Sequence, residues 1–395
     1  MPLVVASLFN IAVLLLYGAW MFQGLSLDDA GGRSMQMALG GGGSPLISGS
    51  SVDIDNVAVT AIVFCCRSPF FEILDTYLLK SLRVNGGVVD NVVFLMNLRE
   101  RDNVVNHVAE AVSMTPEYSM VDYGRFVPFT TLYEAFDDSS RVYIKLDDDI
   151  VYMSPNAIHD LVSAQLNATP SQCLFSANVI NHTRLSNFHQ KHGAMIPLYP
   201  SDPRDMRKPF TAEAPPMEAE QALPTFYYEN DAYGNCSFWS PMCALVVHEN
   251  FLRNVRKPDR LELYKGPPDI ALHNLGVSEE PHLVENKHNR WSINFIALTK
   301  EIVDKIELPT NQYRGSYHND DENVMTAIWT KDEDCESVAV TSSLVVHFSY
   351  HPTTLFLLAR TDLLQRYRQL AIELNGDPRG WLSRYPRVNE PALSE

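Results

Sequence analysis

Basic residues are few in this sequence. Its 395 residues include 31 lysines and arginines against 48 aspartates and glutamates, a formal net charge of −17 at pH 7. No basic face is apparent that could offset phosphate charge, which argues against nucleic acid as a partner. A small anionic ligand could still bind, but only through a metal ion and a few local cations.

Cysteine is also scarce, with six residues in the chain. Six cysteines allow many pairings, and sequence alone does not choose among them. Cys236 and Cys243 are close enough in sequence for a local disulfide. Cys65 and Cys66 lie within an apolar run and are expected to be buried thiols.

Charge is absent from residues 2–23, a nearly continuous apolar run. Its length matches the roughly 20 residues that a membrane-spanning helix needs. Secretory signals have a charged beginning and a shorter apolar core, and this segment has neither, although cleavage near Gly24-Leu25-Ser26 remains an alternative. We expect residues 1–26 to be a single-pass type II signal anchor in the Golgi or another secretory membrane, with the remainder lumenal.

A Gly/Ser-rich stretch over residues 27–51 follows, and such composition is typical of a flexible stem. Three Asn-X-Ser/Thr sequons, at Asn167, Asn181 and Asn235, agree with a lumenal location. Each alone is a weak pattern that also occurs by chance.

Three consecutive carboxylates follow an apolar run in RVYIKLDDDIVYM, residues 141–153. Asp147, Asp148 and Asp149 would repel one another at the end of a buried strand, so their clustering favours a divalent cation site. Carboxylate oxygens suit Mg²⁺, Mn²⁺ or Ca²⁺. The alternative is a solvated acidic turn, which would not usually lie between two apolar strands.

Strand and helix patterns alternate through the first half of the chain, which predicts an α/β layer with a mostly parallel sheet. Ligands bind beyond the carboxyl ends of strands in such sheets, which is where the aspartates lie. Residues 182–224 are predicted to be a long acceptor-side loop. Strands are predicted over residues 57–66, 88–97, 120–122, 142–146, 150–153, 173–180, 237–247, 289–298 and 341–351, and helices over residues 70–83, 102–112, 129–136, 154–165, 249–255 and 354–374.

A further helix is predicted to begin near Asp321, because apolar residues recur there at helical spacing. Asn319 or Asp320 could cap it, leaving Asp321 and Glu322 in the first turn. Acidic residues there complement the helix dipole, which is a sufficient structural reason for them. The functional interpretation is a general base. His347 also follows an apolar run. It could be a core residue or a metal ligand.

The strings RVYIKLDDDIVYM, RWSINFIAL, DDENVMT and VVHFSYHPTT resemble glycosyltransferases of the GT-A fold, with its DxD motif, and a largely uncharacterised fungal and bacterial family of that kind. The resemblance implies a Rossmann-like mixed, mostly parallel sheet flanked by helices. It also implies a site that holds Mn²⁺ or Mg²⁺ and a nucleotide-sugar donor. The implied residues are Asp147, Asp149 and His347 for the metal, Arg67, Lys145, Asp147 and Asp148 for the donor, and Asp321 or Glu322 as base.

The resulting expectation is a metal-dependent glycosyltransferase acting on a glycan, glycoprotein or glycolipid. Its catalytic domain would span residues 52–376, followed by an irregular tail over residues 377–395. A metal-dependent phosphoesterase is one alternative, although it would usually need a second ligand cluster. A carbohydrate-binding or Ca²⁺-stabilised secretory protein without catalytic activity is the other.

Overall fold

A mixed β-sheet forms the centre of the computed structural model. The structure describes residues 54–97, 104–124, 126–182, 185–195, 199–200, 210–211, 241–265, 272–274, 291–306, 308 and 320–385. All of these belong to the unit Ser51–Glu395. The strands are β1 Ala58–Cys65, β2 Asn91–Met96, β3 Tyr118–Asp122, β4 Arg141–Asp147, β5 Ile150–Met153, β6 Gln172–Ile180, β7 Tyr199–Pro200, β8 Phe210–Thr211, β9 Leu272–Asn274, β10 Phe295–Thr299 and β11 Glu336–His347.

Helices flank the sheet. The longer ones alternate with the strands in the first half of the chain, as the sequence predicts. A π-helical stretch, Val324–Trp329, continues from the short helix Asp321–Asn323. The α-helices are α1 Ser68–Ser81, α2 Val104–Met114, α3 Phe129–Leu132, α4 Ala157–Leu166, α5 Leu185–Lys191, α6 Pro241–Asn254, α7 Pro258–Lys265, α8 Lys300–Lys305, α9 Asp321–Asn323, α10 Thr330–Asp332, α11 His351–Arg360 and α12 Leu363–Asn375.

The sheet order is β3-β2-β1-β4-β10-β6-β11-β5, with β9 also paired to β11. Strands β1, β2, β3 and β4 are parallel, and β6 and β11 run in the same direction as they do. Strands β5, β9 and β10 run the other way. The described sheet is therefore mixed and mostly parallel, which confirms that part of the expected fold class.

Strand β4 shows why these sequences become buried strands. It is paired on both sides, with β1 and with β10, so its alternate side chains enter two separate cores. Val142, Ile144 and Leu146 pack in the larger core, with residues of α1, α4, α6 and α12. Tyr143 packs in the smaller one, with residues of the π-helical stretch. Burial on both faces accounts for the near-continuous apolar sequence.

The predicted strand over residues 237–247 is wrong. Residues 241–247 belong to helix α6, and residues 237–240 lie outside the described part of the chain. Ala244, Val247, His248 and Phe251 are buried, at the three- and four-residue spacing of one helix face. A short apolar run fits either element, and here the spacing of the buried positions decides.

The predicted helix over residues 354–374 is two helices, α11 and α12. Thr361 adopts an extended conformation between them. Its hydroxyl donates to the carbonyl of Leu357 and accepts from the amide of Leu363, so one side chain serves both helix ends. Helix α12 ends before Gly376, which has φ of 75°, a conformation that glycine adopts readily.

Residues 377–385 have little regular structure but are packed against the rest of the domain. The Arg379 guanidinium lies 2.6 Å and 3.0 Å from the two carboxylate oxygens of Asp75 on α1. Trp381 and Leu382 are buried in the larger core. Residues 377–385 are therefore part of the folded unit.

Asn181 cannot carry a glycan in the folded protein, contrary to the expectation from its sequon. Its side chain is fully buried, and its amide donates to the carbonyls of His347 and Phe348. Asn167, at the end of α4, is exposed. Asn235 lies outside the described residues, as do residues 1–53 with the expected anchor and stem. Within the described ranges, no helix is long and apolar enough to cross a bilayer.

One disulfide joins distant parts of the described sheet. Cys173 at the start of β6 pairs with Cys335 before β11, across 162 residues of sequence. Cys65 and Cys66 are buried, as expected. Cys236 lies outside the described residues, so its expected pairing with Cys243 remains a prediction.

We expect replacement of both Cys173 and Cys335 by alanine to lower the free energy of unfolding by about 2–4 kcal/mol, because the open chain regains the loop entropy that the cross-link removes. Calorimetry of the parent and the double variant, with and without reductant, would measure this. Reductant should lower the melting temperature of the parent more than that of the variant. Equal shifts would contradict the pairing.

Candidate metal and donor site

Three candidate ligands meet where the chain passes from strand β4 to strand β5, beside the end of strand β11. Asp147 ends β4, and Asp149 immediately precedes β5. Strand β11 pairs antiparallel with β5 and places His347 opposite Ile150, at a register shift. The amide of Phe348 also donates to the carbonyl of Asp149. This pairing brings His347 next to the aspartates, although about half of the chain separates them.

The three side chains have the spacing of ligands to one cation. One donor atom each from Asp147, Asp149 and His347 lies within 4.8 Å of the other two. His347 Nε2 is 3.2 Å from Asp149 Oδ2. Adjacent ligands at bond lengths of about 2.0–2.2 Å would be separated by about 3 Å. Two carboxylates and an imidazole also suit Mn²⁺ or Mg²⁺ chemically.

The hydrogen bonding of the triad also fits a metal. Asp149 is fully buried, yet neither of its carboxylate oxygens accepts a well-formed hydrogen bond. Its close contacts are ion pairs, with Arg67 Nη2 at 2.8 Å and with His347. A buried carboxylate normally has its oxygens satisfied. The residues present therefore fit a divalent cation.

Electrostatics keep this carboxylate charged. Burial opposes ionisation of Asp149, but the charges of Arg67 and His347 outweigh it and hold the pKa of Asp149 below its usual range. Burial likewise opposes protonation of His347, and the charge of Asp149 more than offsets this and raises the pKa of His347. A cation at this site would take the place of that proton.

Asp148 has a different set of contacts from its neighbours. It is not part of the ligand triad, and its Oδ1 accepts from Arg67 Nε at 2.9 Å and from Arg67 Nη2 at 2.6 Å. Burial raises the pKa of Asp148 despite that contact. Arg67 has 43% of its side chain exposed. The guanidinium is thus the solvent-facing cation of the site, in a position to meet an anionic donor.

Lys145 lies on the buried side of the candidate metal ligand Asp147. It is buried on β4, and its ammonium lies 2.5 Å from Asp147 Oδ1 and donates to the carbonyl of Ile293 at 2.7 Å. It also lies over the ring of Phe64, 5.0 Å from its centroid. Burial opposes the charge of Lys145, but Asp147 and Asp321 raise its pKa. The structure therefore assigns its ammonium to holding Asp147.

Asn294 completes the support of Asp147. Its side-chain amide donates to Asp147 Oδ2 at 2.9 Å, and its carbonyl accepts from the amide of Asp147. Asn294 was not among the site residues predicted from the sequence. Its polarity within the apolar string RWSINFIAL was the available signal.

At the acidic start of α9, one residue caps the helix and the next is the candidate catalytic base. Asp320 is the cap, and its Oδ1 accepts from the amide of Asn323 at 2.7 Å. Asp321 is buried and accepts a hydrogen bond from the Tyr133 hydroxyl at 3.0 Å. Burial raises the pKa of Asp321, while Lys145 and Tyr133 oppose that rise. Glu322 is half-buried. Tyr133 was not among the site residues predicted from the sequence.

The π-helical stretch that follows is a further mark of this region. Such wide turns are rare and are often found at functional sites. Thr326 within it donates to the carbonyl of Glu322 at 2.6 Å, which ties the stretch back to the acidic turn. Most of the predicted acceptor-side loop over residues 182–224 lies outside the described residues.

Comparison with known proteins adds only distant similarities. No protein-family model matches the sequence, and no curated protein matches it. Mannosyltransferase PcManGT from Pyrobaculum calidifontis, solved with GDP-Man and Mn²⁺, is 11% identical with a TM-score of 0.37, over 80% of this chain and 67% of that one. GalNAc-T7, solved with UDP, GalNAc and Mn²⁺, is 9% identical with a TM-score of 0.38, over 80% and 48%.

Glucosyl-3-phosphoglycerate synthase from Mycobacterium tuberculosis, solved with Mn²⁺, UDP and glucosyl-3-phosphoglycerate, is 12% identical with a TM-score of 0.26, over 33% of this chain and 49% of that one. The chain thus spans about half the length of the synthase and of GalNAc-T7. With identities of 9–12% and TM-scores of 0.26–0.38, the likeness of this chain to these solved structures is distant.

We expect Asp149→Asn to weaken Mn²⁺ binding by at least about tenfold, since it removes a charged and buried ligand from the triad. Electron paramagnetic resonance of free Mn²⁺ would measure the affinity, with circular dichroism to verify folding. Asp138→Asn changes charge equally in an ion pair with Arg141 and is the matched control. Parental affinity in folded Asp149→Asn would refute the ligand assignment.

Proposed function

We propose that the protein is a metal-dependent glycosyltransferase that moves a sugar from a nucleotide-sugar donor to a glycan or glycoconjugate. The main support for this proposal is that one site contains both a candidate cation-binding triad and a buried candidate base. Asp147, Asp149 and His347 form the triad, and Asp321 is the base. Lys145 interacts electrostatically with both Asp147 and Asp321.

The chemistry of such a transfer agrees with these groups. A divalent cation bound by the triad would offset the negative charge that develops on the leaving diphosphate. Asp321 would accept the proton of the acceptor hydroxyl, as in an inverting reaction. The Tyr133 hydroxyl orients that carboxylate, and Lys145 opposes its protonation.

The four residues expected to contact the nucleotide-sugar donor have different surroundings in the structure. Arg67 is partly exposed and cationic, so it is placed for the diphosphate. Lys145 and Asp148 are buried, and each forms an ion pair within the site, Lys145 with Asp147 and Asp148 with Arg67. We assign these two to supporting the residues that meet the donor, and Asp147 to the cation.

A phosphoesterase is the less favoured alternative. Two-metal phosphoesterases hold their ions about 3.5–4 Å apart and need ligands for both. Among the described residues, a single group of candidate metal ligands is present. That group lies at the ends of sheet strands, the position at which α/β folds bind their ligands.

We also propose a location in the secretory pathway, with a type II anchor over residues 1–26. The Cys173–Cys335 disulfide supports this, because disulfides persist in oxidising compartments. The exposed sequon at Asn167 agrees with it. The apolar run over residues 2–23 is the proposed anchor.

Binding of nucleoside diphosphates tests the proposal most directly. We expect UDP or GDP to raise the melting temperature only when Mn²⁺ is present, since a ligand that binds only the folded state stabilises it. Asp149→Asn should remove the effect. Hydrolysis of simple phosphate esters would instead favour a phosphoesterase, and stabilisation by free glycans alone would favour a carbohydrate-binding protein.

We expect Asp321→Asn to lower turnover by roughly 10²–10⁴-fold with donor binding unchanged, because the amide keeps the hydrogen bond from Tyr133 but accepts no proton. The raised pKa of Asp321 sets the sign of the pH dependence. A base must be ionised, so turnover of the parent should fall as pH decreases through a value above the ordinary 3.8.

Asp320→Asn is the matched control for that experiment, because asparagine caps helices about as well as aspartate. Its turnover should stay near the parental value. Glu322→Gln should be measured beside it, since Glu322 is the alternative base. Near-parental turnover in both Asp321→Asn and Glu322→Gln would exclude a base in this turn and point to a retaining reaction.

A further inference from the structure

Arg67 bridges two adjacent carboxylates at the rim of the site. Its Nε and Nη2 both contact Asp148 Oδ1, at 2.9 Å and 2.6 Å. The same Nη2 lies 2.8 Å from Asp149 Oδ1. One guanidinium thus neutralises a carboxylate of the ligand triad together with a carboxylate outside it.

The position of Arg67 is defined by its local structure. The residue lies between the end of β1 and the start of α1, with extended backbone angles. Its carbonyl accepts from the amide of Phe70, and its guanidinium carbon lies 5.4 Å from the centroid of the Phe70 ring. Of the three residues in this contact, Arg67 alone has a substantially exposed side chain, and the side chains of Asp148 and Asp149 are buried.

The other oxygen of Asp149 faces His347 Nε2 at 3.2 Å. Both oxygens are therefore in contact with groups that carry or can carry positive charge. A divalent cation bound at the triad would have to share Asp149 with the Arg67 guanidinium. Like charges held close together in a buried site repel strongly, because little water screens them.

We infer that Arg67 is the internal counterion of Asp149 in the absence of metal, and that it lowers the affinity of the site for a divalent cation alone. A diphosphate that takes over the guanidinium would relieve this competition. The inference rests on the proposed function and deepens it, because cation and nucleotide would then each strengthen the binding of the other. Thermodynamic linkage requires such coupling to be reciprocal.

The direction of the effect separates this role from simple support. If Arg67 merely oriented Asp149, its removal would weaken metal binding. If it competes with the cation, its removal strengthens that binding. Arg67→Gln removes the charge while keeping hydrogen-bonding capacity, and Arg67→Lys keeps the charge while losing the planar fork.

The test is titration of Mn²⁺, followed by paramagnetic resonance, for the full chain with and without UDP or GDP. Without nucleotide, we expect Arg67→Gln to bind Mn²⁺ roughly tenfold more tightly than the parent, within the usual range of coupling between sites. Arg67→Lys should stay close to the parent. Nucleotide should strengthen Mn²⁺ binding to the parent and do so much less in Arg67→Gln.

Arg256→Gln is the matched control. It removes the same charge from an ion pair with Glu373 that includes no residue of the site, so its Mn²⁺ affinity should equal the parent's. Unchanged or weaker Mn²⁺ binding in folded Arg67→Gln would overturn the inference. Should Arg67→Gln fail to fold, weaker Mn²⁺ binding by Arg67→Lys would overturn it.

The nucleotide-free measurement is independent of sugar transfer. If Arg67→Gln tightens Mn²⁺ binding but neither nucleotide affects the parent, the counterion role stands, while the coupling and the proposed donor are both refuted. If Mn²⁺ binds the parent tightly but shows no dependence on Arg67, the metal site stands and the inference fails.

Discussion

Burial of the Asp149 carboxylate is the constraint on which the site depends. An ionised carboxylate removed from water is costly unless opposite charges surround it. Here Arg67 and His347 supply those charges from two different strand ends. The sheet order places β1 next to β4 and pairs β11 with β5, so these groups meet only in the assembled sheet. Stability of the apo site and binding of a cation therefore involve the same contacts.

Lys145 connects the candidate metal ligands to the candidate base. Its buried ammonium is stabilised by Asp147, by the carbonyl of Ile293 and by the ring of Phe64. Its charge also acts on Asp321, which has no direct place in the triad. Protonation of Asp321 and orientation of Asp147, a candidate metal ligand, are thus coupled through a single side chain. A change at Lys145 would therefore affect both Asp147 and Asp321.

Local sequence was sufficient for many of the elements. The strands around the aspartates and the helix after β1 follow from apolar periodicity, and that signal acts within a few residues. It failed at residues 241–247, where an apolar run fits a strand or a helix face equally well. The sequon at Asn181 was also a wrong guide, because a sequon contains no information about burial. Thr361 interrupts a continuous helical pattern through its own hydrogen bonds, which periodicity does not register.

The sequence by itself determined the kind of chemistry available: a carboxylate cluster after a strand, a late histidine and an acidic helix start. Only the tertiary structure decided which atoms of those residues meet. It separated Asp320, which caps the helix, from Asp321, which is buried against Tyr133. It also placed Lys145 behind Asp147. These outcomes depend on sheet order, register and burial, which are set by contacts between residues far apart in the chain and leave no local periodic signal.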